Sequence, residues 1–150
     1  MRIRLTVLGS LLFVVALCAC SGTPPKNTGV VQGQLAKCPD SPNCVSSQAA
    51  PHDERHFVSP LTYNGNRSEA YQRLSQLIER QPRATVIRRL EDYLYAEFRS
   101  DLFGFVDDVE FYFPDSPVIH VRSASRLGYS DLGVNRKRIE RIRATLSRKP

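Results

Sequence analysis

The sequence predicts an α+β domain: a mostly antiparallel sheet of about four strands with two flanking helices packed on one face. Three observations predict it. Four strand-like runs follow one another between residues 84 and 125. The turn signal "PDS", residues 114–116, separates the last two, so that pair is a hairpin. A stretch with one apolar helical face lies on each side of the set.

Taken in order, "SEAYQRLSQLIERQP", residues 68–82, is the first helix. Ser68 can cap it, Ala70, Tyr71, Leu74, Leu77 and Ile78 recur on one face, and Pro82 stops it. The strands are "ATVIRRL" at 84–90, "DYLYAEFR" at 92–99, "FVDDVEFYF" at 105–113 and "PVIHVRSAS" at 117–125. The last helix, "NRKRIERIRATLSR", starts near Asn135, a good N-cap residue. Ile139, Ile142 and Leu146 form its buried stripe, with Lys137, Arg141 and Arg148 on another side.

The 150 residues, 41% hydrophobic and 24% charged, suffice for one soluble domain and a modest core. Residues 1–19 stand apart. Arg2 and Arg4 precede an apolar run too short to span a bilayer, which reads as a signal peptide. The run ends "LCAC", Leu17 to Cys20, and resembles the bacterial lipobox. That resemblance implies cleavage before Cys20, diacylglycerol on its thiol and acylation of the new amino terminus. Several acyl chains anchor a protein stably where one does not. If the envelope is Gram-negative, Ser21 rather than aspartate after Cys20 favours, by the same resemblance, the outer membrane over the inner one, with the domain facing the periplasm. Residues 20–37 are rich in Gly, Pro, Ser and Thr and read as a lipidated flexible tether, its reach on the order of 20–25 Å. Residues 38–150 are then the globular domain.

Cys38 and Cys44 are the only thiols left after Cys20 is used. In an exported protein a disulfide is the default. A metal site would need further Cys or His ligands, and a redox pair usually has closer spacing. The sequence implies no cofactor.

Three stretches carry a family resemblance: "CPDSPNCVSS" at 38–47, "LFGFVDDVEF" at 102–111 and "VRSASRLGYSDLGVNRKRIE" at 121–140. Together they resemble the bacterial and plant-plastid domain-of-unknown-function family 1499, from about Cys38 to Leu146. The resemblance implies a shared fold and supplies no activity.

Chemistry must therefore be read from the residues. Alternation along "FVDDVEFYF" puts Phe105, Asp107, Val109, Phe111 and Phe113 on one face, and Asp108, Glu110 and Tyr112 on the other. Asp107 thus points with the apolar set, which is costly unless it is paired. A hairpin centred on Asp115 would oppose Asp107 to Ser123, Asp108 to Arg122 and Glu110 to His120. Two readings follow. One is cross-strand charge pairing at roughly 0.2–1 kcal/mol a pair. The other is a hydrolase-type acid/base site of Asp107, Asp108 and His120, acting on an envelope ester or glycan. A metal held by Asp108, Glu110 and His120 would need a ligand from a third strand.

Residues 134–150 hold seven cations against one anion. Cations at a helix start face the positive end of the helix dipole, so something must compensate them. Internal pairing is one answer. The other is an anion-binding surface of Arg122, Arg126, Asn135, Arg136 and Arg138, since free N–H groups at a helix start suit phosphate or carboxylate. Anionic lipid, lipopolysaccharide and peptidoglycan are partners within reach of an anchored domain; nucleic acid is excluded by export. The leading expectation is a lipid-anchored envelope protein whose domain binds or scaffolds.

Overall fold

A computed structural model describes residues 21–147. The signal peptide expected at 1–19, the acylation expected at Cys20 and the placement expected for Arg148 lie outside the described residues. Those described form six strands and two α-helices: β1 (Cys44–Ser46), β2 (Leu61–Thr62), α1 (Arg67–Glu79), β3 (Ala84–Arg89), β4 (Tyr93–Arg99), β5 (Val106–Tyr112), β6 (Val118–Ser125) and α2 (Val134–Leu146). The sheet runs β1–β6–β5–β4–β3, every pair antiparallel, with β2 on β6 as well.

The α+β class holds, and each of the four expected strands lies within one residue of its expected ends. The sheet nevertheless exceeds four strands. β1 and β2 are three and two residues long, too short for a period of two to register. They exist because the outer edge of β6 needs partners: β1 takes Arg122 to Ala124 and β2 takes Val118 and Ile119.

That demand also sets the register of the hairpin. β5 and β6 pair Asp107 with Ser125, Asp108 with Ala124, Glu110 with Arg122 and Tyr112 with His120. The expected partners were two residues away. Val118 and Ile119 run past the end of β5 onto β2, so the turn is not symmetric about Asp115. A slip of two leaves every side chain on its expected face, where a slip of one would have inverted them all.

Both helices start earlier than expected. Asn66, not Ser68, caps α1, its Oδ1 accepting from Glu69 N at 2.9 Å. α2 begins after Gly133, whose φ of 77° favours glycine. Asn135 sits inside its first turn and is buried.

Val109 and Phe111 of β5, with Leu94, Ala96 and Phe98 of β4, join Leu74 and Ile78 of α1 and Ile139, Ile142 and Leu146 of α2 in one apolar cluster. Each of these side chains larger than alanine contributes roughly 1.5–3 kcal/mol on burial. The other face of the sheet carries Tyr93, Tyr95, Asp108, Glu110, His120 and Arg122.

The chain over 29–37 is not the flexible tether expected there. Leu35 is buried against Tyr93 and Tyr95, with Val30 and Tyr112 alongside. Gly29 N donates to Glu110 Oε1 at 2.7 Å, and Gln48 grips Leu35 N and Gly33 O, both at 2.8 Å. A face bearing buried carboxylates needs donors and cover, and this polar segment supplies both. The Cys38–Cys44 disulfide is formed, joining the end of the segment to β1.

Candidate functional site

The acidic residues singled out in the sequence do not converge. Asp107 faces α2. Its Oδ2 accepts from Arg138 Nη2 at 2.5 Å, and the Arg138 guanidinium lies 4.8 Å from the centre of the Phe98 ring. Arg138 Nη1 also donates to Ser123 Oγ at 3.0 Å and Asn135 Oδ1 at 2.6 Å. Asn135 Nδ2 in turn donates to Ser125 Oγ and Asn43 O. Aspartate, arginine and amide thus satisfy one another beneath α2.

Asp108 and Glu110 face the other way. Asp108 receives Arg126 through Nε at 2.9 Å and Nη2 at 2.7 Å, a two-point grip, and Tyr95 OH at 2.5 Å. Arg126 also pairs with Glu97. The bonds to Asp108 hold the Arg126 guanidinium still more firmly protonated than usual. Burial, then the bond to Asp108, pushes the Tyr95 phenol up; burial and the Glu110 charge do the same to Tyr93. Glu110 accepts from Tyr93 OH at 2.8 Å and Arg122 Nη1 at 3.2 Å. Both phenols therefore act as fixed hydrogen-bond donors.

His120 stands apart from this network. Its Nδ1 lies 3.1 Å from Ser47 Oγ and its ring stacks on Tyr112. Burial lowers its affinity for a proton. The structure thus separates the three expected acid/base groups: Asp107 lies on one face, while Asp108 and His120 bond elsewhere on the other. Among the described residues no three His, Cys, Asp or Glu side chains gather as metal ligands would. One pair the sequence reading passed over is Asp53 and His56. His56 Nδ1 lies 2.8 Å from Asp53 Oδ2, and that bond holds the Asp53 carboxyl below its ordinary range. His56 Nε2 lies 3.3 Å from Ser41 O, so the ring clamps its own loop.

The expected anion-binding residues are occupied internally. Arg122, Arg126 and Arg138 are in ion pairs. Asn135 is buried, and Arg136 donates to the carbonyls of Phe57, Glu54 and Arg55. The bare N–H groups at the α2 start are met by Asp131, which accepts from Gly133 N at 2.9 Å and Asn135 N at 2.8 Å. The cations at this helix start are compensated from within the fold.

A different basic feature is present. A cavity of about 510 Å³ lies between the α1–β3 turn, the end of β4 and α2. Asp107 and Arg138 line it, joined by Arg83, Arg99, Arg141 and Asp101. Arg83 pairs with Asp101 and Arg99 with Glu97, while Arg141 forms no ion pair among the described residues. These arginines come from separate elements, and no local pattern announces them.

An antiparallel sheet with a charged, tyrosine-lined face and an arginine-rich cavity defines an α+β domain without a convergent catalytic cluster among the described residues. The chain belongs to the family described as Protein of unknown function (DUF1499), whose model matches residues 34–146. No curated protein and no solved structure matches it. The family match takes in Leu35, the residue that seats the N-terminal segment on the sheet. No helix of the described residues is long and apolar enough to cross a membrane.

Proposed function

We propose that this is a lipid-anchored protein of the cell envelope, held by acyl chains on Cys20, whose domain binds an anionic group of that envelope. The domain is read as two helices on one face of the sheet, with the N-terminal segment across the other. Its ligand is a carboxylate or phosphate carried by lipid, lipopolysaccharide or peptidoglycan, at an outer membrane facing the periplasm.

The observation that carries the binding reading is the cavity beside Asp107 and Arg138. Four arginines against two aspartates line it, and among the described residues Arg141 has no ion-pair partner. Arg138 is held rigidly by its bonds, so it presents a fixed edge rather than a mobile charge. A small anionic group entering there would be met by Arg141 and Arg83 from two sides.

The test is binding of the purified protein to anionic vesicles and to peptidoglycan sacculi as salt rises. Binding should weaken steeply with salt, and Arg141→Glu combined with Arg83→Glu should reduce it about tenfold or more. Arg136 and Arg138 are unsuitable targets because their loss would unfold the domain around α2. Binding to both surfaces that is unchanged in the double variant removes the cavity from the function.

A further inference from the structure

Large apolar side chains are exposed at one end of the molecule. Seven of the ten exposed ones among the described residues lie in two stretches, the 102–105 loop and 127–134, the loop after β6 with the first residue of α2. Leu102 is 80% exposed and Phe103 61%; Tyr129 is 74% exposed and Leu132 85%. Both loops leave the same end of the sheet. Arg99 pairs with Val106 where β4 passes to β5, and Arg126 N bonds Val106 O where β6 ends. Within the first loop the Phe103 and Phe105 rings lie 5.5 Å apart. Exposure of one such residue is ordinary, whereas a gathered set marks an interaction surface.

The start of the described chain lies at this same end. Gly22 sits against Arg126 and Leu127: a Cβ added to it would fall 2.9 Å from Arg126 Cβ and 3.1 Å from Leu127 Cγ. Cys20 is two residues before Gly22, and two residues of chain reach at most about 7 Å. With Gly22 seated there and residues 29–35 pinned to the sheet, an anchor at Cys20 would have no long tether and would leave the domain beside the exposed leucines and aromatics.

We infer that this apolar end docks into the bilayer that holds the Cys20 acyl chains, with the tips of loops 102–105 and 127–134 in the lipid interface. The proposal rests on the anchor of the reading above. Leucines and aromatics suit the boundary between headgroup and acyl chain, where such side chains sink roughly 5–10 Å. Half-exposed Arg83 and Arg99 and exposed Lys137 flank this end and suit anionic headgroups. Docking by two loops adds to the acyl anchor and fixes which way the domain faces, leaving β2 and the β5–β6 turn farthest from the membrane.

The chain contains no tryptophan, so a single introduced one is an unambiguous reporter. Phe103→Trp, Tyr129→Trp and, at the other end of the sheet, Leu90→Trp are prepared as full-length protein processed in its host. Each is reconstituted into phosphatidylethanolamine–phosphatidylglycerol vesicles containing lipids brominated along the acyl chain. Phe103→Trp and Tyr129→Trp should be quenched at least about twice as strongly as Leu90→Trp, as groups at interfacial depth are. If either variant misfolds, Leu132→Trp replaces it. Acylated protein that floats with the vesicles but shows equal quenching at all positions overturns the docking and leaves the anchor standing. Unacylated protein that fails to float overturns both. A face that stays unquenched while the anchored protein cross-links to itself through position 103 belongs to a second copy, which also overturns the proposal.

Discussion

Glu110 is fully buried, and its two oxygens take three donors: Gly29 N, Tyr93 OH and Arg122 Nη1. Arg122 is held less completely, with Nε unpartnered among the described residues. The two halves of this ion pair should therefore differ in cost. Glu110→Leu orphans three buried donors and should destabilise by about 3–5 kcal/mol. Arg122→Met removes the counter-charge but leaves the carboxylate its other two donors, and should cost less than Glu110→Leu, about 2–3 kcal/mol. Guanidinium unfolding of the disulfide-bonded protein measures both, and an equal or reversed order would refute the assignment of Glu110 as the hub. His120 offers a pH signature. Burial depresses its folded-state pKa below the ordinary 6.5, so the unfolded chain takes up the proton first as pH falls. Stability should thus fall as pH drops below about 6.5 and level off once the folded form also protonates. In His120→Gln the decline between pH 7 and 5 should be shallower. Parallel melting curves across that range would rule out a partly buried His120 whose proton affinity is lowered in the fold.

At the level of elements, legibility followed the range of the interactions. β3 to β6 and both helices could be read because alternation and helical periodicity are local. So could the opposite facings of Asp107 and Asp108, which need only a period of two. What escaped depended on partners distant in sequence. β1 and β2 are made by the free edge of β6, and that edge moved the hairpin register by two. Asn135 looked like a cap because of its type. The N-cap position is Gly133, the N–H groups there are met by Asp131, four residues before Asn135, and the Asn135 side chain is turned inward to Ser123, Ser125 and Asn43. The candidate site suffered most from this limit. The cations at the α2 start were visible as a cluster, but whether they faced a ligand or Asp107 and backbone carbonyls was a tertiary matter. The cavity with Arg83, Arg99 and Arg141 is assembled from three elements and had no signature in any one stretch.

For the molecule as a whole, the consequential feature is the N-terminal segment across the second face of the sheet. Its composition is that of a linker, and composition alone gave no reason to dock it. Yet it supplies one of the donors on Glu110 and packs Leu35 and Val30 on Tyr93, Tyr95 and Tyr112. Deleting residues 22–33, so that Ser21 joins Gln34, should therefore destabilise the domain even though the family match begins at residue 34. Loss of the Gly29 bond alone leaves a buried carboxylate oxygen short of a donor, which costs about 1–3 kcal/mol. Uncovering Tyr93 and Tyr112 adds to that. Lys26→Ala, on an exposed stretch of the same segment, should shift stability by less than about 0.5 kcal/mol. Denaturant midpoints for the two variants decide the matter. If the deletion leaves the midpoint where it was, the segment merely rests on the sheet. An anchor at Cys20, as proposed, would then have the reach of a free tether, and the proposed orientation toward the membrane would be lost with it.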